Sequence, residues 1–386
     1  MDGAIDNHAN PGCGLGDGSG NGVGCAGMLP ALDEIVDRAR VVSLPMRVRF
    51  RDVTQREALL VEGPAGWGEF APFAEYGDAE AAAWLASALE MAWQGPPQPL
   101  RERVPVNATV PSFPPAEVAG ILDLFPGCRT VKVKVGPSPS TPSTLDDDAA
   151  RVSAALAAIP GALVRVDANR AWTVAEAYEA ARVLGRVVAD AGGQFEYMEQ
   201  PCATVPELAQ LRGEIAAGAE RGDIVGGTVA GGAIAVAADE SIRRAEDPLL
   251  VAHAGGADRA VVKAPPLGGP RRLLSVAASL RELGLDVTVS SALDTAVGMG
   301  AGLAAAAALP AGADGTIPAC GLGTGGLFEE DVAEPRELVD GTLSAVMTEP
   351  DPARLGALAA SGERRDWWIA RLQRCYEVLA AEATGA

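Results

Sequence analysis

The chain has 386 residues and a formal net charge of −20, long enough for one large domain or two ordinary ones. That acidity argues against nucleic acid and anionic membrane surfaces as partners, because both need a basic face. The only histidines, His8 and His253, and six cysteines without CxxC spacing argue against zinc and against a Ser-His-Asp or Cys-His enzyme.

Residues 1–27 hold no Lys or Arg and no apolar run, so no secretory leader is read there. Their Gly, Asn and Asp content predicts a disordered extension. Residues 28–103 read as a small α+β unit. VVSLPMRVRFR and EALLVEGPAGWGEF carry strand signals, and DAEAAAWLASALEMAW (78–93) carries a helix. A proline-rich stretch, QGPPQPLRER, then links to a different pattern.

From 104 to 328 strand and helix alternate. The strand-like runs are VPVNATV, TVKVKVG, LVRVDAN, FEYMEQP, IAVAADES, RAVVKAP and DVTVSSA. Helical stretches such as 173–190 and 269–283 lie between most of them. This predicts an α/β fold, a (β/α)₇β TIM-like barrel. A doubly wound sheet is the runner-up, but the Gly-rich phosphate turn after the first strand is missing. GDIVGGTVAGGAIA (222–235) reads as a flexible loop before a strand. AGLAAAAALP near 301–310 is too short to span a bilayer and reads as a buried helix. Residues 329–386 are acidic, then helical, and their DWW predicts a helix that folds back on the N-terminal unit.

Of the 31 Lys and Arg residues only Lys132, Lys134 and Lys263 are lysine, and all three fall at strand ends. Catalytic residues of such barrels sit at the C-terminal ends of strands. Those ends carry Lys132 and Lys134, then Asp167 and Asn169, Glu199 and Gln200, Asp239 and Glu240, Lys263, and finally Ser290 and Ser291. Period-2 geometry puts Lys132 and Lys134 on one face. Each carboxylate alone is as readily a helix cap or a surface charge. Three on successive strands converge on one point, where a cation must offset their repulsion. An all-oxygen set selects a hard ion, Mg²⁺ by default. Arginine cannot lose its proton near neutral pH, whereas lysine can if desolvation and a neighbouring cation lower its pKa. Lys132 is expected to be that neighbour for Lys134.

On these motifs the chain resembles the enolase superfamily, in its muconate-lactonizing branch. VKVKVG, RVDANRAWT (165–173), MEQPC (198–202), AADES (237–241), VVKAPPLGG (261–269) and SSALDTAVG (290–298) resemble the o-succinylbenzoate synthase family within it. The resemblance implies a capping domain built from both termini (28–103 and 329–386) over a barrel at 104–328. It implies Lys134 as the acid/base, Lys132 as the first lysine of K-x-K and Lys263 as the opposing lysine. Asp167, Glu199 and Asp239 become ligands of Mg²⁺, or Mn²⁺ in its place, and EFAPFAEYG (69–77) the loop that closes over the substrate. The implied reaction is the syn-dehydration of 2-succinyl-6-hydroxy-2,4-cyclohexadiene-1-carboxylate to 2-succinylbenzoate, in menaquinone biosynthesis in the cytoplasm, via a metal-stabilised ene-diolate. Strand position suggests Asn169, Ser290, Ser291 and, in GLGTGG (321–326), Gly321 and Thr324 as contacts to the small carboxylate substrate. Two other readings stand beside this one. An N-acylamino acid racemase or dipeptide epimerase would use Lys134 and Lys263 as a two-base pair, and a binding barrel would use neither. The Gly-rich excess around 218–234, before the fifth strand, is expected on the barrel end away from the site.

Overall fold

The structure, a computed structural model, describes residues 29–50, 53–137, 142–243, 247–312 and 315–384. The expected disordered extension, 1–27, lies outside the described residues. The N-terminal unit begins with α1 (Leu32–Asp37) and a three-stranded antiparallel sheet in the order β1 (Ala39–Phe50), β2 (Val53–Gly63), β3 (Gly66–Phe70). α2 (Asp78–Leu89) packs on that sheet through Trp84, Leu85 and Ala88. Glycine makes the close approach feasible: a Cβ on Gly68 would lie 2.0 Å from the Ala88 carbonyl oxygen.

β4 (Arg103–Pro105) leads into seven parallel strands: β5 (Ala108–Val110), β6 (Thr130–Lys134), β7 (Leu163–Asp167), β8 (Gln194–Glu199), β9 (Ala235–Ala238), β10 (Arg259–Val262) and β11 (Asp286–Val289), in sequence order across the sheet. Residues 320–321 close it into a barrel: Cys320 bridges Val106 beside β5, and Gly321 bridges Ser290 beside β11, both parallel. The helices around the barrel are α3 (Val118–Leu122), α4 (Leu145–Ala158), α5 (Val174–Asp190), α6 (Val205–Arg221), α7 (Glu240–Arg243), α8 (Leu250–His253), α9 (Ala264–Leu267), α10 (Pro270–Glu282) and α11 (Met299–Ala308). Three of them start on a Thr-x-x-Asp/Glu capping box, with Thr144, Thr173 and Thr204 as N-caps and Asp147, Glu176 and Glu207 answering. Each cap satisfies first-turn N–H groups and so fixes where the chain turns from loop into helix. In β6 the valines face the helix layer, Val131 and Val133 both fully buried, while the lysines face the barrel interior.

After the barrel come β12 (Thr342–Ser344), α12 (Pro352–Ala357) and α13 (Gly362–Thr384). β12 pairs antiparallel with β4, and Leu338, Leu343, Ala345 and Met347 pack in the barrel core. The apolar side chains of 338–347 thus lie on the barrel. α13 returns to the N-terminal sheet: Trp368 stands edge-on to Phe70 at 5.8 Å and donates from Nε1 to Glu57 Oε2 at 3.0 Å.

The Gly-rich stretch 222–235 is not the flexible loop its composition predicts. Phe195 N donates to Gly226 O at 2.8 Å, Thr228 N to Phe195 O at 3.2 Å, and Gly227 N to Gly232 O at 3.1 Å. A Cβ on Gly227 would lie 1.9 Å from Ala233 O. Glycine here serves tight packing rather than freedom. Phe195 lies at the start of β8, next to its first residue Gln194, whereas Glu199 ends it, so the insert lies at the barrel end away from the strand-end carboxylates.

Candidate active site

The parallel register builds the site. Lys134 pairs with Asp167 across β6 and β7, Asp167 with Glu199 across β7 and β8, and Glu199 with Ala237 across β8 and β9, two residues before Asp239. β6 and β10 lie four strands apart in the eight-membered ring, so Lys132 and Lys134 face Lys263 across it.

Lys132 Nζ donates to Asp167 Oδ2 at 3.2 Å and to Glu199 Oε1 and Oε2 at 3.2 and 3.1 Å. Lys134 Nζ donates to Asp167 Oδ2 at 2.5 Å and to Asn169 Oδ1 at 2.7 Å. Lys263 Nζ donates to Asp239 Oδ1 and Oδ2 at 2.6 and 2.5 Å. Burial opposes the charged form of Asp167, but Lys134 and Lys132 hold its carboxyl below the usual range. Glu199 goes the other way, pushed up to about 7 by burial and by the Asp167 charge beside it. Burial pulls Lys132 down, yet Glu199 and Asp167 outweigh it and hold its ammonium above the usual lysine range.

Lys134 touches Asp167 and Asn169, and Lys132 reaches the same Asp167 Oδ2, so the two lysines of β6 meet at one carboxylate oxygen. No group of three or more His, Cys, Asp or Glu side chains among the described residues is spaced to hold a metal ion as they stand. Lys132 and Lys134 occupy oxygens of Asp167 and Glu199, and Lys263 occupies both oxygens of Asp239. The chemistry of the donor set still fits a hard divalent cation. It is all oxygen, buried and anionic, and the raised Glu199 carboxyl marks a spot where more positive charge is favourable.

Backbone strain gathers at these same ends. Asn169, Arg170, Gln200 and Leu293 have φ of 46°, 70°, 38° and 65°, left-handed values that a bulky residue such as Leu rarely adopts. Gln200 fastens two strand ends together. Its Oε1 accepts from Asp239 N at 3.0 Å and Ser241 N at 3.1 Å, and its Nε2 donates to Ser241 Oγ at 2.8 Å.

A cavity of about 40 Å³ gathers Lys132, Lys134, Asp167, Glu199, Asp239, Lys263, Ser290, Ser291, Gly321 and Thr324. Ser291 Oγ and Thr324 Oγ1 share a 2.8 Å hydrogen bond. Asn169 joins through Lys134 and not as a wall. Sequence reasoning passed over Thr109, Trp84, Pro266 and Leu293, which also line the cavity. Thr109 was findable, since it sits in the first parallel strand like the other strand-borne residues. Trp84, on a helix of the N-terminal unit, had no local signal. Phe73, from the 69–77 stretch, forms another part of the wall.

Comparison with known proteins completes the description. The family described as "Enolase N-terminal domain-like" matches residues 41–92, and "Enolase C-terminal domain-like" matches residues 124–350. The chain is 53% identical over 352 residues to the o-succinylbenzoate synthase of Mycobacterium tuberculosis (strain ATCC 25618 / H37Rv), covering 91% of this chain and 98% of that protein. It is 52% identical over 351 residues to the o-succinylbenzoate synthase of Mycolicibacterium smegmatis, covering 91% and 99%. In structure it is similar to a muconate lactonizing enzyme from Pseudomonas fluorescens complexed with muconolactone, with a TM-score of 0.64, 23% identity and coverage of 84% and 98%. The 2-chloromuconate cycloisomerase of Rhodococcus opacus 1CP gives a TM-score of 0.64 at 22% identity, covering 83% and 98%. At that identity the two solved structures bear on the fold alone, a barrel with a capping unit.

Proposed function

Because the chain belongs to the o-succinylbenzoate synthase family of the enolase superfamily, and is thereby a carbon–oxygen lyase, we propose that it dehydrates 2-succinyl-6-hydroxy-2,4-cyclohexadiene-1-carboxylate to 2-succinylbenzoate with the help of Mg²⁺. The observation that carries this reading is the ring of strand ends, with a lysine pair on β6 opposite Lys263 and three buried carboxylates between them.

Asp167, Glu199 and Asp239 would hold the cation, Mn²⁺ serving in place of Mg²⁺. When bound, the cation supplies positive charge beside the substrate carboxylate and so favours loss of the neighbouring proton. Lys134 removes that proton from the ring carbon bearing the carboxylate. The same lysine then returns it to the departing hydroxyl on the same face. The C–H and C–O bonds break, water leaves and the ring becomes aromatic. Asn169 orients the Lys134 amine through the 2.7 Å contact. Lys263, as an ammonium on the other face, stabilises the negative charge that develops between the two steps. Lys132 keeps Asp167 and Glu199 in position, while Ser290, Ser291, Gly321 and Thr324 contact the substrate.

The capping unit (28–103 with the C-terminal segment), a place in menaquinone biosynthesis and a cytoplasmic location belong to the same reading. No helix among the described residues is long and apolar enough to cross a membrane.

The test is a substrate panel with the purified protein. The cyclohexadiene acid should be dehydrated, and chelation should stop turnover until Mg²⁺ is restored. Undiminished turnover in chelator would refute the metal assignment. Lys134 and Lys263 on opposite faces also suit a two-base racemase, so N-succinyl amino acids are the second substrate class. Their racemisation at a higher kcat/KM than the dehydration would replace this reading with the other.

A further inference from the structure

Trp84 sits on α2 and is 1% exposed, and it lines the site cavity beside Phe73. Its indole Nε1 is buried and has no hydrogen-bond partner among the described residues. Buried indole N–H groups ordinarily find an acceptor, and one left without costs free energy. The rings around it present edges and faces: Phe73 stands at 82° with centroids 6.2 Å apart, and Tyr76 at 57° and 6.2 Å. The strand-end lysines lining the same cavity are paired with carboxylates. The cavity thus has a polar floor whose charges are matched and an aromatic roof that keeps one donor unmatched.

The substrate of the reading above has the complementary shape. Its ring carboxylate belongs on the floor, beside the proton to be removed. Its succinyl arm leads away from the ring through two methylenes and ends in a second carboxylate. The arm therefore runs toward the roof, where Phe73, Trp84, Pro266 and Leu293 offer apolar surface to the methylenes. We propose that Trp84 is the specificity-determining residue for this arm, its indole N–H donating a hydrogen bond to the terminal carboxylate. This rests on the dehydration reading and adds to it the group that selects a succinyl side chain over a neutral one. A hydrogen bond to an ionised acceptor is among the stronger kinds. The cavity of about 40 Å³ holds only a few waters, so arm entry also shifts the roof.

The experiment compares the Mg²⁺-loaded wild type with Trp84→Phe, which keeps an aromatic ring and removes the donor. Each is assayed with the succinyl substrate and with an analogue carrying a butanoyl arm, whose terminal carboxylate is replaced by methyl. For the succinyl substrate the variant should lose about tenfold or more in kcat/KM, carried by KM. For the butanoyl analogue wild type and variant should agree within about twofold. Equal losses on both compounds, or no loss on either, overturn the proposal. A purely structural role for the ring gives the former. A second measurement uses the wild type alone: the Trp84 indole ¹H–¹⁵N resonance should move downfield on adding 2-succinylbenzoate and stay in place with 2-butanoylbenzoate. The same displacement with both products refutes the carboxylate contact even if the variant folds poorly. Failure of the dehydration reading looks different, since the wild type would then turn over neither compound.

Discussion

In the proposed reaction Lys134 is where a positive charge has to come and go. Arginine keeps its proton at any pH a protein survives, so it cannot replace a lysine that acts as a base. Lys134→Ala and Lys134→Arg should therefore both lower kcat by about 10²–10⁴-fold while leaving the melting temperature near the wild-type value. Substantial activity in Lys134→Arg would exclude Lys134 as the base. Lys132 and Lys263 differ in kind. Each lies in a clasp of carboxylate oxygens, which suits a permanent ammonium. The lysines, Asp167, Glu199 and Asp239 were legible from strand position, because alternation on a strand decides which side chains face the barrel interior. Their pairing was not. Which lysine meets which carboxylate depends on distances across neighbouring strands, and these bring both Lys132 and Lys134 to Asp167 Oδ2.

Elements in this protein are held by close backbone approach as much as by apolar area. β3 meets α2 at Gly68, where an added Cβ would lie 2.0 Å from the Ala88 carbonyl oxygen and 2.7 Å from its carbon. Backbone cannot rotate out of the way as a side chain can. Gly68→Ala should destabilise the protein by about 1–3 kcal/mol, measured by urea denaturation, since α2 must move off the sheet. An unchanged midpoint would mean that the two elements are not packed this closely. The consequence reaches the cavity, because α2 carries Trp84. The Gly-rich stretch 222–235 makes a related point. Composition alone reads it as loose, but contacts to β8 and to Ala233 turn the same glycines into packing residues. Composition reports what a backbone is free to do, while neighbours decide what it does.

Across the whole molecule the site is closed by segments distant in sequence. Arg371 on α13, 2% exposed, donates from Nη2 to the carbonyls of Phe73 at 2.9 Å and Tyr76 at 2.7 Å. The C-terminal helix thus holds the loop that roofs the cavity. Arg56 Nε donates to Leu293 O at 3.0 Å, and its Nη2 donates to Ala71 O, clasping the same loop to the barrel. Glu69 completes this seam by accepting from Thr295 N at 3.1 Å and Oγ1 at 2.5 Å. Burial and the nearby Asp294 push its carboxyl from the usual 4.5 up to about 8. Folded protein therefore keeps a proton that the unfolded chain has released. The associated stability is fully present below about pH 4.5 and is lost as pH rises through about 8. Glu69→Gln stays neutral throughout, so wild type should lose stability relative to this variant between pH 5 and pH 9. Denaturant midpoints at the two pH values measure it, and a constant difference would mean that Glu69 is already ionised at pH 5.

Sequence by itself determined the alternation of strands and helices, the inward face of each strand and the polar residues at its end, because these follow from periods of two and 3.6 residues within one segment. Tertiary structure alone decided the ion pairing on the cavity floor, the return of 338–347 to the barrel, and the roof formed by Phe73 and Trp84 under the hold of Arg371. Those contacts join residues up to about 300 positions apart. No local pattern records them, and packing chooses among them only once both domains' apolar faces are buried.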